Sequence, residues 1–88
     1  MNIQEIKQAL MGKAISHFDG WDGSYKHFVI AHVEHAGSSV IVYDEARKGW
    51  GVYIPNDIIP ELIRTGKYKE TNTIDHCTFE LRWDLSTK

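Results

Sequence analysis

Turn-forming residues punctuate this chain at short intervals: Asp19-Gly20-Trp21-Asp22-Gly23, Ala36-Gly37-Ser38, Ala46-Arg47-Lys48-Gly49, Pro55-Asn56-Asp57 and Gly66. No apolar run between them approaches the ~18 residues of a membrane span. What fits between such turns is a set of short strands and short helices. The chain has 88 residues, room for one domain, with no internal repeat, low-complexity tract or Pro/Ser-rich linker from which a second could begin. Residues 1–88 are therefore expected to form a single α+β domain. A hydrophobic fraction of 42% and only two prolines exclude disordered and collagen-like chains.

Asn2 and Glu5 have the spacing of a capping box, and Ile3, Ile6 and Leu10 recur at helical intervals, so a helix is predicted over 3–11 with Gly12 as its stop. Strands are predicted over 13–18, 25–35, 40–43 and 50–54. Tyr25 to His35 carries apolar residues on both faces, the pattern of a central strand. Asn56 opens a second helix, with Ile58, Ile59, Leu62 and Ile63 on one stripe and Gly66 beyond it. Residues 67–73 form a polar connection and 74–83 a last strand, with Cys77, Phe79, Leu81 and Trp83 on its apolar side. The expected order is α-β-β-β-β-α-β, a mostly antiparallel curled sheet with two helices packed on one face.

Ten Lys and Arg against twelve Asp and Glu give a formal charge of -2, with neither a polybasic stripe nor a dense acidic array. Duplex DNA binding, which draws its affinity from clustered cations, is disfavoured, and so is DNA mimicry. The lone Cys77 cannot form an internal disulfide, and the first residues lack the cationic start and apolar stretch of a signal peptide. A reducing, cytoplasmic setting is expected, with no membrane association.

Five histidines raise the question of a metal or acid-base centre. Their spacing argues against one. His32 and His35 point to opposite sides of a strand, and His27 and His35 would lie roughly 26 Å apart on a continuous one. Asp19 and Asp22 lack the companions of a calcium loop. His76 and Cys77 are strand neighbours facing apart, which leaves Cys77 as a small core residue. Phosphate-loop and serine-nucleophile motifs are absent. No metal or cofactor is implied, and the ionisable side chains are expected to be dispersed instead of gathered round a reactive centre.

The aromatics are more informative. Trp21 stands at a turn beside Asp22, Trp50 follows Arg47 and Lys48 and precedes Tyr53, and Tyr68 lies between Lys67 and Lys69. Loop aromatics flanked by charge supply rigid contact area at protein interfaces, or stacking surfaces for single-stranded nucleic acid. Folded back, the same rings would only cap the core. Trp21, Asp22, Arg47, Lys48, Trp50, Tyr53, Lys67 and Tyr68 are the candidate binding residues. The expectation is a non-enzymatic interaction protein, an inhibitor or adaptor with a protein partner, of the kind phages and mobile elements use against host defences. Two alternatives stand beside it. One is a homodimer, formed by edge pairing, that binds a nucleotide or other anion through His17, His27, Arg47, Lys48, Trp50 and Tyr53. The other is a small metal-independent ribonuclease using His32, Glu34, Tyr53 and Arg82.

Overall fold

The computed structural model describes residues 2–46 and 51–86. α1 (Ile3–Leu10) starts where the capping box places it: the Glu5 N–H donates to the Asn2 side chain at 2.9 Å, and the Asn2 N–H donates to the Glu5 carboxylate at 3.0 Å. Ile6 and Leu10 are buried. Beyond the helix, Gly12 adopts a φ of +84°. Its N–H donates to the Ile30 carbonyl at 2.9 Å, while the Ile30 N–H donates to the Lys13 carbonyl at 2.9 Å. Two residues thus oppose one, a bulge whose first position demands the left-handed conformation that glycine tolerates.

From this bulge run β1 (Ala14–Asp19) and β2 (Ser24–Val29), followed by β3 (His32–Ala36), β4 (Ser39–Tyr43) and β5 (Val52–Pro55). A short 3-10 turn (Asn56–Ile58) leads into α2 (Ile59–Thr65), and the chain closes with β6 (Lys67–Ile74) and β7 (Cys77–Ser86). The class is α+β, with the strands divided between two antiparallel sheets, one ordered β2-β1-β7-β6 and the other β3-β4-β5.

Four sequence expectations change in detail. The run from Tyr25 to His35 is two strands, because the chain crosses between sheets at Ile30 and Ala31: the Ile30 N–H serves Lys13, and the Ala31 N–H serves Tyr43. Apolar residues on both sides of this run reflect a corner, where burial changes face, and Ile30 is only 1% exposed there. The polar stretch 67–73 is most of β6, held by pairing with β7 along its whole length. Its alternation is faint in the sequence because Tyr68 is its one large apolar residue before Ile74. The last strand, expected over 74–83, starts later and runs from Cys77 to Ser86, because Asp75 and His76, with φ of 50° and 67°, form the two-residue turn that the twist of a hairpin favours. Cys77 is exposed at the hairpin tip and is not a core residue.

The core lies between the sheets. Ile15 and Trp83 of the larger sheet, with Phe28, Tyr68, Leu81 and Leu85 packed against them, meet Val33, Val40, Val42, Val52 and Ile54 of the smaller. Ile6 and Leu10 of α1 and Ile59 and Leu62 of α2 complete it. Fully burying each such side chain contributes about 1.5–3 kcal/mol.

Gly20 marks the closest approach of the first hairpin to β7. Its N–H donates to the Glu80 carbonyl at 2.8 Å, and a Cβ there would lie 2.6 Å from that oxygen and 2.9 Å from the Glu80 nitrogen. Gly20→Ala should lower stability by about 1–3 kcal/mol, since backbone must move to admit the methyl group. His76→Gly should raise it by about 1 kcal/mol by relieving a left-handed non-glycine residue. Urea midpoints of the two variants against the parent check both signs.

Candidate functional site

Strand alternation sorts the larger sheet into two faces. The inner face carries Ile15, His17 and Asp19 from β1, Phe28, Lys26 and Ser24 opposite them on β2, Leu85, Trp83 and Leu81 on β7, and Tyr68 and Glu70 on β6. At one end these residues are apolar and meet the smaller sheet. Toward the other they turn polar and form one wall of an open cleft.

The edge of β5 forms the other wall. Register places the backbone groups of Gly51 and Tyr53 away from β4, so they would stand unpaired at a sheet edge. Side chains from the larger sheet take the missing strand's place. The Lys26 ammonium donates to the Gly51 carbonyl at 3.2 Å, and the Trp83 indole N–H donates to the Tyr53 carbonyl at 3.0 Å. The cleft has a volume of about 620 Å³, and its polar lining includes His17, Asp19, Asp22, Lys26 and Glu70.

His17 stacks on Trp83, with ring centroids 4.9 Å apart. Its Nδ1 lies 2.9 Å from the Arg82 carbonyl oxygen, which can only accept, so Nδ1 carries the hydrogen and Nε2 is the unprotonated nitrogen of the neutral ring. Burial pushes the imidazole below its ordinary value, against the opposing pull of the Arg82 carbonyl and Asp19. Asp19 accepts from the Trp21 N–H at 2.9 Å. Asp22 accepts from the Ser24 N–H at 2.9 Å, and hydrogen bonds from Ser24 hold its carboxyl below the usual range. Glu70 accepts from the Asn72 amide at 3.0 Å. Among the described residues, three carboxylates thus share the cleft with one ammonium.

The expected dispersal of ionisable groups is therefore corrected: pleating and the inter-sheet corner bring His17, Asp19, Asp22 and Glu70 to one cavity. Among the described residues, no three His, Cys, Asp or Glu side chains are placed to hold one metal ion. Of the candidate binding residues, Asp22 and Tyr53 line the cleft. Trp21, 55% exposed, leans edge-on against Phe79 at 5.1 Å. Lys67 and Tyr68 instead line a separate hollow of about 490 Å³ beside α2, with Glu61, Arg82 and Asp84. Tyr68 also packs toward the core, 6.1 Å from Trp83. Arg47, Lys48 and Trp50 lie outside the described residues.

The two alternative constellations are divided by the fold. His17 points to the inner face of the larger sheet, whereas His27 is on the outer face, bonded to the Ser16 hydroxyl at 2.7 Å. Glu34 and Tyr53 flank Ile41 across the smaller sheet, and Arg82 belongs to the larger one, 3.3 Å from Glu80. His27 and His35 also belong to different sheets. Asp19, Lys26, Glu70 and Trp83 were missed as site residues. In the sequence Asp19 reads as part of the turn and Glu70 as part of the polar connection. Period-two alternation through β1 and β6 was the signal that could have found both.

No family model matches the chain, and no curated protein or solved structure does so either. No helix among the described residues is long and apolar enough to cross a membrane.

A histidine whose folded value is depressed supports the fold above its ordinary value of 6.5, and that support is lost as pH falls through the lower folded value. Stability should therefore decline as the pH drops below 6.5, and His17→Gln should flatten part of that decline. Urea midpoints measured on both sides of that pH, for parent and variant, test this.

Proposed function

We propose that the protein is a non-enzymatic binding module, an inhibitor or adaptor, that docks on a larger protein by receiving one of its cationic side chains in the inter-sheet cleft. The observation that carries this is the charge inventory of the cleft. Among the described residues, Asp19, Asp22 and Glu70 share the cleft with a single ammonium, Lys26, which is already engaged by the Gly51 carbonyl. Their backbone and amide donors orient these carboxylates while leaving further lone pairs for a guanidinium or ammonium. Trp21 and Tyr53, 55% and 58% exposed, add the flat aromatic area that interfaces use and on which a cation can rest.

The same inventory weighs against a nucleotide or other anion in this cleft, since a phosphate would meet three like charges. The ribonuclease reading has less support still: His32 and Glu34 share a small hollow beside α1, but Arg82 belongs to the other sheet.

An NMR titration of backbone amides with an Arg/Lys-rich peptide tests the proposal. The amides of Trp21, Ser24, Lys26 and Tyr53 should move together, and added salt should weaken binding. The double variant Asp22→Asn, Glu70→Gln should weaken it by about tenfold or more, given about 1.5–3 kcal/mol for a hydrogen bond to a charged group. If these amides respond to nucleotides or an RNA oligomer and ignore the basic peptide, the proposal fails.

A further inference from the structure

The two sheets have four edges, and they are not treated alike. On β6, Lys67 and Lys69 project beside the free edge, where a buried charge would penalise an incoming strand. β5 ends in Pro55, which has no N–H, and its outward carbonyls are occupied by Lys26 and Trp83. β3 runs beside α1, and of its two residues with outward backbone groups, Val33 and His35, the first has a buried side chain. β2 has none of these protections.

The hydrogen-bond phase of β2 follows from the bulge. Ile30 exchanges its bond with Lys13, so Phe28 and Lys26 face β1, and the N–H and C=O of Tyr25, His27 and Val29 point outward. Among the described residues, no backbone partner reaches these three from the open side. Their side chains share the outer face, with Tyr25 63% and Val29 40% exposed and His27 also exposed. The only lysine of the strand, Lys26, points to the inner face and is tied to Gly51.

We infer that β2 is the edge through which two copies of this chain pair, antiparallel about a two-fold axis through His27, into one continuous sheet. The occupant is a second copy because the edge is self-complementary. With His27 opposite His27 of the second copy, Tyr25 falls opposite Val29 in both directions, an aromatic against a β-branched residue. All three residues of each strand then spend both their outward backbone groups. A slip by two residues in either direction leaves one of the three unpaired, and a slip by one turns the backbone groups out of phase. The two-fold axis stands perpendicular to the sheet, so both acidic clefts open on the same side, as a bivalent surface. The pairing itself does not depend on what the clefts bind.

The experiment combines native mass with amide hydrogen exchange on the intact protein from low micromolar to near-millimolar concentration. The mass should rise from 10.1 kDa toward twice that value. In step with it, the amides of Tyr25, His27 and Val29 should slow, while those of Lys26 and Phe28, bonded to β1, stay slow throughout. Tyr25→Lys with Val29→Lys should weaken association at least tenfold and leave the thermal midpoint of the monomer unchanged, because both side chains are exposed. In a Cys77→Ser background, His27→Cys should form a disulfide dimer on oxidation, since directly opposed hydrogen-bonded residues place their Cα atoms about 5.5 Å apart. A mass that stays at 10.1 kDa across the range overturns the inference. So does a dimer in which the three outward amides exchange as fast as in dilute solution.

Discussion

The indole of Trp83 is the contact on which the two-sheet arrangement turns. It is 3% exposed, stacked on His17, and its N–H crosses from β7 to the Tyr53 carbonyl on the edge of the smaller sheet. One side chain thus fills the core, satisfies a strand edge and sets the floor of the cleft. A phenyl ring could replace its bulk but not its donor, and the Tyr53 carbonyl would then return to the state of an unpaired edge group. Lys26 repeats the arrangement one step along the edge at Gly51, with its charge held by a carbonyl instead of a carboxylate.

This arrangement explains why the polar half of the inner face is concentrated. The smaller sheet covers only one end of the larger, and at that end the strands supply Ile15, Phe28, Leu85 and Trp83. At the uncovered end the same strands supply Ser24, Lys26, Asp19 and Glu70, where water and any ligand have access. His17 sits at the border, close enough to the core for burial to disfavour its charged form and close enough to the cleft for Asp19 to act on it. Among the described residues the lining of the cleft is acidic although the chain as a whole is nearly balanced, so net charge says little about local field.

Sheet edges give the fold a second kind of asymmetry. Lysines, a proline, borrowed side-chain donors and a neighbouring helix each close or guard one edge, whereas β2 keeps its backbone groups outward beside exposed Tyr25 and Val29. In a chain this short, an edge left open is a surface available for use.

Local chemistry was enough to announce the capping box at Asn2 and Glu5, the turn at Gly37, the strand 40–43, the strand through Val52 and Ile54, and the helix before Gly66, because each depends on neighbours within a few residues. The α+β class followed from those elements. The corner at Ile30 and Ala31 was not legible, since apolar residues on both faces look the same whether a strand is central or changes sheets. Nor was β6 legible, because Lys67, Glu70 and Asn72 become strand only through β7. The cleft depended on both. Asp22 and Tyr53 could be picked out as charge and aromatic area, but their meeting with His17, Asp19 and Glu70 required strand register and the docking of two sheets. The sequence by itself determined which residues could cap, turn, pair or pack. Only the tertiary structure decided which of them share a cavity, because that is set by contacts between segments far apart in the chain.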